Sequence, residues 1–360
     1  MATTTQSEER RAIDTTIVDT DVHLRLSRFE IAEYTEEPYA TQLRNPNYSP
    51  FPGSGWDRSL GEKIEYQDID GPEDIDETLV RDFGIDHPII NATSLLTRLP
   101  QSDLAVACMS AVNDILIEKY LDDYSHFYGL ATIATQRPEK AAEELDRLAD
   151  EKQIVGAYIC TTGPREPLGD VRYDPIYEAA ESNGLHIAFH GSAGAFMFDF
   201  PKQNQGLEKF LSVHTLAHPW SQMLTVTSLL VQGTPVKFPD LNFVFLESGV
   251  GWVPYLMYRL NGEYAKRRSE APLLEKSPEE YVRDQFYFSS QPVGEPNDPN
   301  HMNKMLEVLG TENLVFSSDY PHWDFDHPEA FDKHLKATFT KEEREQVLHG
   351  NAERAFGLSL

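Results

Sequence analysis

The stretch TTIVDTDVHL at positions 15–24 decides the fold. It is a short run rich in β-branched residues, and runs of this kind alternate with helical patterns along the rest of the chain. Such alternation is typical of βα units and a parallel sheet. Further strands are predicted at HPIIN (87–91), FYGLATIAT (127–135), IVGAYICTT (154–162), LHIAFHG (185–191), LNFVFLESG (241–249), FYFSSQPV (286–293) and LVFSSDYPH (314–322). The pattern predicts an α/β fold, a (β/α)8 TIM barrel.

The connections between these strands are mostly helical in pattern. Helices are predicted over 71–84, 102–124, 137–152, 173–184, 221–233 and 341–358, the last as two short C-terminal helices split at Gly350. The exception is a charged, Pro- and Gly-rich insertion at 28–71, whose Trp and Tyr content argues against disorder. Because it follows the first strand, we interpret it as a long loop or lid over the barrel mouth.

The length of 360 residues suits one barrel with insertions, so a single domain over 1–360 is expected. No apolar run reaches the roughly 18 residues of a membrane span, and the N-terminal segment lacks the apolar core of a secretory signal, which predicts a cytoplasmic protein. Cys108 and Cys160 are interpreted as reduced core residues, because a disulfide framework would need more cysteines. Surface aromatics and large loops are compatible with a homodimer.

The charge balance excludes several kinds of partner. The chain has 59 acidic and 31 basic residues, a formal net charge of -28. Such a field repels phosphate backbones and anionic lipid, which argues against nucleic acid or a membrane and leaves a small-molecule substrate. Because the acidic residues are spread along the chain, we favour a halophilic source, with an ordinary acidic protein as the alternative.

Asp21 and His23 form the first candidate for metal binding. They stand two residues apart on the first predicted strand, so their side chains share one face. A carboxylate and an imidazole at a strand end suit a divalent metal. An Asp-x-His triplet also arises by chance, so further ligands are needed elsewhere.

Two later strands offer such ligands at their carboxyl ends, where barrel active sites form. His190 ends the fifth predicted strand, whereas His186 begins it and is interpreted as a structural histidine. Asp319 closes the eighth strand, where it could bind metal and accept a proton from a metal-bound water. The alternative for Asp319 is a turn-forming residue before Pro321.

The spacing combines these candidates. From His23 to His190 is 167 residues, and from His190 to Asp319 is 129. These intervals divide into four and three βα units of about 42 or 43 residues. Strands one, five and eight therefore carry the residues, and side chains from all three can converge at the barrel mouth.

The chain resembles the amidohydrolase-related family that includes 2-amino-3-carboxymuconate-6-semialdehyde decarboxylase. The resemblance spans nearly the whole chain, through D-x-D-x-H, HPWSQM, PDLNFVFLESGVGWVPYL, SSDYPHWD and HGNAERAFGL. It implies a barrel of the metal-dependent hydrolase type, in which one divalent ion, most simply Zn²⁺ with Mn²⁺ or Fe²⁺ as alternatives, has four ligands. By resemblance these ligands are Asp21, His23, His190 and Asp319.

The chain departs from this family at the sixth strand. The resemblance implies a catalytic His there, often with a Glu three residues later, whereas this chain has Glu247 and Val250. The acid that would protonate carbon in a decarboxylase is thus missing from its usual place. Glu247 could bind metal, orient water or act as an acid or base, and the alternative is a structural carboxylate.

Further candidates lie near the predicted mouth. His214 and His218, in VHTLAHPW, are predicted on a loop, and His218 is the better candidate for substrate contact or proton transfer, with packing as the alternative. His322, in the loop after Asp319, has similar standing as a substrate-binding residue. Candidates for an apolar pocket are Trp252, Phe196, Phe198 and Trp323, which could equally belong to the core.

These residues predict a mononuclear metal hydrolase acting on a small organic amide, lactone or carboxylic acid. Metal would lower the pKa of a bound water and Asp319 would take its proton, with Glu247 and His218 as further catalytic groups. The alternative is a metal-dependent, non-oxidative decarboxylase of an unsaturated or aromatic acid. A third reading is an inactive barrel that serves binding or assembly, and the presence of all four ligands speaks against it.

Overall fold

The computed structural model describes residues 13–48, 56–57, 71–92, 96, 99–192, 202–293 and 299–360. Within these ranges eight parallel strands form one sheet in sequential order. They are β1 (Val18–His23), β2 (His87–Asn91), β3 (Tyr128–Thr132), β4 (Ile154–Cys160), β5 (His186–His190), β6 (Phe243–Leu246), β7 (Phe286–Ser289) and β8 (Leu314–Val315). Each strand falls within a predicted segment.

Contacts between the first and last strands close the sheet into a barrel. The amide of Thr20 donates to the carbonyl of Phe316 over 3.1 Å, and the amide of His23 donates to the carbonyl of Tyr320 over 2.8 Å. Because all neighbouring strands are parallel, their carboxyl ends meet at one rim. The predicted (β/α)8 barrel is confirmed.

The helices surround this barrel. They are α1 (Arg28–Tyr34), α2 (Tyr39–Arg44), α3 (Pro72–Ile75), α4 (Ser102–Ile115), α5 (Pro138–Arg147), α6 (Asp174–Ser182), α7 (Phe210–Val231), α8 (Thr234–Lys237), α9 (Trp252–Tyr264), α10 (Pro278–Gln285), α11 (Pro299–Leu309), α12 (Pro328–Lys336), α13 (Lys341–Glu345) and α14 (Asn351–Phe356). Short π-helical turns at Asp76–Asp82, Leu116–Leu121 and Gln346–Gly350, and 3₁₀ turns at Val171–Tyr173 and Arg268–Glu270, extend or join them.

Two predicted helix boundaries are wrong. Helix α7 begins at Phe210, so His214 and His218 lie in a helix and not in a loop. The prediction began the helix after Pro219, but an internal proline removes one backbone donor without ending this helix. The predicted split at Gly350 is also absent, because Gly350 has helical φ of -61° and the π turn connects α13 to α14.

The insertion after β1 contains α1 and α2, and its positions 49–55 and 58–70 lie outside the described residues. In the described part of the chain, no helix combines the length and apolar character needed to span a membrane. Both cysteines are buried and unpaired, and burial raises the pKa of the Cys108 thiol to about 12. Cys108 therefore stays a thiol, as predicted for a reduced core residue.

Alternation along the strands separates two packed layers. On β5, Ile187 and Phe189 face the helices, whereas Ala188 joins an apolar cluster inside the barrel. Because side chains alternate, His190 shares the inner face with Ala188 and ends the strand above it. The inner cluster thus forms a floor beneath the residues at the rim.

Candidate metal centre

The four predicted ligands converge at the rim. One ligand atom each from Asp21, His23, His190 and Asp319 lies within 4.8 Å of all the others, and all four residues are buried. Nε2 of His23 lies 2.8 Å from Oδ1 of Asp319, and Nε2 of His190 lies 3.5 Å from Oδ2 of Asp21. Strands β1 and β5 and the segment after β8 supply these groups, as the spacing predicts.

The chemistry of this cluster fits a divalent cation. Within the described residues, Oδ2 of Asp21 and Nε2 of His190 are buried and make no hydrogen bond of good geometry, although Nε2 lies 3.0 Å from Oε2 of Glu247 and 3.5 Å from Oδ2 of Asp21. An unsatisfied buried polar atom costs about 1–3 kcal/mol, and a shared metal ion would satisfy both. Burial opposes the charged form of His190, but the carboxylates of Asp21 and Glu247 outweigh burial and raise its pKa well above the ordinary value. The site therefore attracts positive charge.

Three residues near the ligands were missed by the sequence reasoning. Asn91, at the end of β2, donates to Oδ1 of Asp21 over 2.6 Å, and Gln291, after β7, donates to Oδ2 of Asp319 over 3.3 Å. These contacts orient the two carboxylates. Tyr158 on β4 lies with its ring 5.4 Å from that of His190, and burial raises its pKa well above the ordinary value. Their position as polar residues at the ends of predicted strands was the feature of the sequence that could have identified them.

His190 is oriented by its own backbone. Its Nδ1 lies 2.5 Å from the carbonyl of Gly191, which can only accept a hydrogen bond. Nδ1 therefore carries the proton, and in the neutral ring Nε2 is free for a metal. His186 lies at the opposite end of β5, where its Nδ1 accepts from the amide of Asn242 over 3.2 Å. Burial lowers the pKa of His186 to about 4, as expected for a neutral structural histidine.

Asp19, the first acid of D-x-D-x-H, holds two segments together. Its carboxylate accepts from the amide and hydroxyl of Ser318 at 2.9 and 2.5 Å, and from the amide of Asp21 at 3.2 Å. Burial raises the pKa of Asp19 to about 7, with these hydrogen bonds opposing the shift. This carboxylate ties β1 to the turn that carries Asp319.

Two site residues have left-handed backbone. Among the described non-glycine residues, positive φ occurs at Glu247 (49°) and Asp319 (64°). Such a conformation costs a non-glycine residue roughly 1–3 kcal/mol and clusters at functional sites. Both residues follow a barrel strand and turn a carboxylate into the same cluster, so the strain coincides with the site.

Glu247 links the ligands to helix α7. Its Oε2 lies 3.0 Å from Nε2 of His190, and its Oε1 lies 3.3 Å from Nδ1 of His218. Burial favours the protonated carboxyl, but His218 and His190 outweigh burial and hold the pKa of Glu247 well below its ordinary value. Glu247 is therefore an ionised carboxylate between two imidazoles.

His218 reaches this carboxylate because the residue facing it is a glycine. Its Nδ1 donates to the carbonyl of Glu247 over 2.9 Å, and its Nε2 is buried with no hydrogen-bond partner in the described structure. A Cβ at Gly191 would lie 2.8 Å from Cα of His218, closer than side chains pack. Gly191 thus permits helix α7 to approach the end of β5.

The remaining candidates divide by position. His322 lies beside the ligands, with Nδ1 2.7 Å from Oδ1 of Asp319, and this carboxylate raises its pKa to about 9 although burial opposes the charged form. His214 lies one turn before His218 on α7, and one of its ring nitrogens lies within 4.8 Å of a ligand atom of both His218 and Glu247. Its Nε2 lies 3.7 Å from Oδ2 of Asp324, and its ring centre lies 5.4 Å from that of Trp323.

The aromatic candidates gain less support. Trp252 packs against Phe288 on the outer face of β7 and donates to the carbonyl of Ser248, so it faces the helical layer. These contacts argue against its predicted substrate-binding role, because a side chain in that layer is separated from the mouth by the sheet. Phe196 and Phe198 lie outside the described residues.

Known proteins resemble the chain over nearly its whole length. The model of the amidohydrolase family matches residues 19–358. A gamma-resorcylate decarboxylase of Polaromonas sp. is 25% identical over 338 residues, covering 90% of this chain and 98% of that protein. The structure of an amidohydrolase of Mycobacterium avium subsp. paratuberculosis matches with a TM-score of 0.75 and 18% identity, over 96% of this chain and 100% of that one.

A second solved structure adds a metal. A dihydroxybenzoic acid decarboxylase of Polaromonas sp., with bound manganese and the inhibitor 2-nitroresorcinol, matches with a TM-score of 0.69 and 18% identity. The match covers 96% of this chain and 97% of the other. At this identity the likeness supports the barrel fold.

The comparisons contradict the predicted hydrolase. The Polaromonas relative is a gamma-resorcylate decarboxylase, which supports the decarboxylase alternative. The hydrolase prediction depended on the missing histidine at the end of the sixth strand. The structure also places the imidazole of His218 beside Glu247, a contact between a helix and a strand end that the sequence pattern did not predict.

Proposed function

Since the chain belongs to the amidohydrolase family, we propose that it is a metal-dependent, non-oxidative decarboxylase of an aromatic or unsaturated carboxylic acid. The decarboxylase relative supports the reaction class. The observation that carries the proposal is the arrangement of His218, whose Nδ1 is fixed by Glu247 while its buried Nε2 has no partner among the described residues. This is the arrangement of a proton donor that awaits a substrate.

The ligand set would bind the substrate through one divalent ion. Asp21, His23, His190 and Asp319 would hold the ion, which when bound supplies a Lewis acid for the substrate carboxylate and a neighbouring oxygen. Two carboxylates and two imidazoles suit either Zn²⁺ or Mn²⁺. Metal analysis of the purified protein decides between them.

His218 would supply the proton. Decarboxylation breaks the bond between the carboxylate carbon and its neighbour, and the electron pair of that bond stays on the neighbouring carbon. This carbon must gain one proton as carbon dioxide leaves. His218 would deliver this proton from Nε2 and end as a neutral imidazole. Its Nδ1–H would stay hydrogen-bonded to the carbonyl of Glu247 throughout.

Glu247 would stabilise this histidine without giving up a proton itself. It is held ionised by the two imidazoles on either side, so it is a poor acid and a good counter-ion. Asp319 is unsuited to the donor role because its oxygens already face His23, His322 and Gln291. The acid thus comes from helix α7 and not from a strand.

The test measures carbon dioxide release from 2,6-dihydroxybenzoate and related hydroxybenzoates by metal-loaded protein. His218→Gln should lower the rate roughly 100-fold or more while the metal stays bound, and Glu247→Gln should lower it nearly as far. His186→Gln is the control, because His186 lies at the opposite end of β5 from the ligands and should leave the rate unchanged. Ester or amide hydrolysis without carbon dioxide release, or a His218→Gln variant with the wild-type rate, would overturn the proposal.

A further inference from the structure

Two histidines of α7 lie one turn apart on the same side of the helix. His214 and His218 are separated by four positions, and side chains at this spacing are neighbours on a helix surface. Their ring centres lie 5.7 Å apart. A helix with two histidines at this spacing can present two nitrogens to one zinc ion. The proposed reaction uses His218 alone and gives the pair no function.

A carboxylate at the barrel mouth joins this pair. One ring nitrogen each of His214 and His218 and one carboxylate oxygen of Glu247 lie within 4.8 Å of one another. The ligands of a tetrahedral zinc ion lie about 3.4 Å apart, since zinc bonds to nitrogen and oxygen are about 2.0–2.1 Å long. A small movement of these side chains therefore brings all three groups into ligand positions. Two histidines and one glutamate form a common set of protein ligands for zinc, with the fourth position open.

The nitrogen of His218 that a metal would use is buried and has no partner. Nδ1 of His218 donates to the carbonyl of Glu247 over 2.9 Å, so Nε2 is the nitrogen that remains for a ligand. Nε2 makes no hydrogen bond within the described residues, and the residue is 6% exposed. The same feature, a buried imidazole nitrogen without a hydrogen bond of good geometry, marks His190 among the four ligands of the first site.

Glu247 lies between this cluster and the four ligands. Its Oε2 lies 3.0 Å from Nε2 of His190, whereas its Oε1 lies 3.3 Å from Nδ1 of His218. One oxygen thus faces each cluster, which suits a carboxylate shared by two neighbouring metal ions. Beside the cluster, Oδ2 of Asp324 lies 3.7 Å from Nε2 of His214. A carboxylate next to a histidine commonly orients that ring for a metal.

We propose that His214, His218 and Glu247 form a second, weaker metal site that binds a zinc ion and thereby inhibits the enzyme. The inhibition rests on the proposed function, in which His218 delivers a proton from Nε2. A zinc ion on Nε2 takes the place of that proton, which is released to the solvent. The site favours Zn²⁺ over Mn²⁺ because two of its three ligands are imidazoles, whereas Mn²⁺ prefers oxygen ligands. It is the weaker site because it has three ligands against four in the first.

Equilibrium dialysis of the metal-free full chain against Zn²⁺ tests the site. The wild type should bind two equivalents, the second more weakly than the first. His214→Gln should weaken binding of the second equivalent by at least about 10-fold and leave the first unchanged, because it removes a ligand of the second site alone. His301→Gln is the matched control, since His301 is an exposed histidine on α11 and belongs to no metal-binding cluster among the described residues.

Two results of the dialysis would overturn the site. One is saturation of the wild type at one equivalent, and the other is a second equivalent that His214→Gln does not weaken. Circular dichroism checks that the variants are folded. Should His214→Gln fail to fold, Asp324→Asn decides instead, because it removes the charge beside His214 and should weaken the second equivalent by about 10-fold.

Carbon dioxide release from 2,6-dihydroxybenzoate tests the inhibition. Protein loaded with one equivalent of Zn²⁺ should lose activity as more is added, with half-inhibition at the dissociation constant of the second site. Relative to its own uninhibited rate, His214→Gln should need at least about 10-fold more zinc. Full activity with the second site occupied would overturn the inhibition. No carbon dioxide release at one equivalent would contradict the proposed function, whereas dialysis decides the zinc site independently.

Discussion

The metal-binding half of the barrel mouth and its proposed proton-donating half are built in different ways. In the metal half, His23 and His190 extend directly from the ends of β1 and β5. In the other half, Glu247 occupies a left-handed turn and His218 comes from the middle of α7. A strand end positions a ligand through its own alternation, whereas a helix positions one through packing against distant segments. Substitutions in the proton-donating half should therefore lower the catalytic rate while metal binding is kept.

The largest expected effect is at His190. Loss of a residue that only orients a metal ligand typically weakens metal binding by about 10- to 100-fold. His190→Ala removes a proposed ligand itself, so it should weaken metal binding by more than about 100-fold. Activity should disappear with the metal. Equilibrium dialysis and metal analysis measure the effect, with His186→Ala as the control on the same strand. Full metal occupancy in His190→Ala would remove His190 from the site.

An intermediate effect is expected at Gly191, where the two halves meet. Gly191→Ala places a Cβ 2.8 Å from Cα of His218 and 3.0 Å from its Cβ, so the helix must move. A displacement of this kind should lower kcat roughly 10- to 100-fold while metal content stays normal. Gly262→Ala is the control, since a Cβ there meets no atom within 4 Å. Normal kcat in Gly191→Ala would show that the approach of α7 is unimportant for the reaction.

The same contrast explains what the sequence could and could not predict. Strand period placed Asp21 and His23 on one face, strand ends and the βα spacing added His190 and Asp319, and the family resemblance assigned all four as ligands. The sequence offered His218 as a candidate for proton transfer but placed it on a loop, and it did not predict the contact of His218 with Glu247. This contact depends on a helix that continues through Pro219 and on a glycine at the end of another strand, and neither feature has a local signature. The strained backbone of Glu247 is likewise invisible in sequence.

The smallest expected effect is the pH dependence of stability caused by His186, the histidine of β5 that lies away from the metal site. Burial lowers the pKa of His186 to about 4, against an ordinary value of 6.5, so the unfolded chain binds the proton more readily. Stability from this group is therefore present above pH 6.5 and is lost as the pH falls toward 4. The loss at pH 5 is about 2 kcal/mol relative to neutral pH.

His186→Gln removes this titration while leaving a side chain that can accept from the amide of Asn242. The free energy of unfolding in urea should be measured for the wild type and for His186→Gln at pH 7 and pH 5. Between these pH values the wild type should lose about 2 kcal/mol more than His186→Gln. Metal content and kcat should not change, because His186 lies at the far end of the barrel. A parallel pH dependence in the two proteins would mean that His186 titrates normally, and a loss of metal in His186→Gln would mean that the two ends of β5 are not independent.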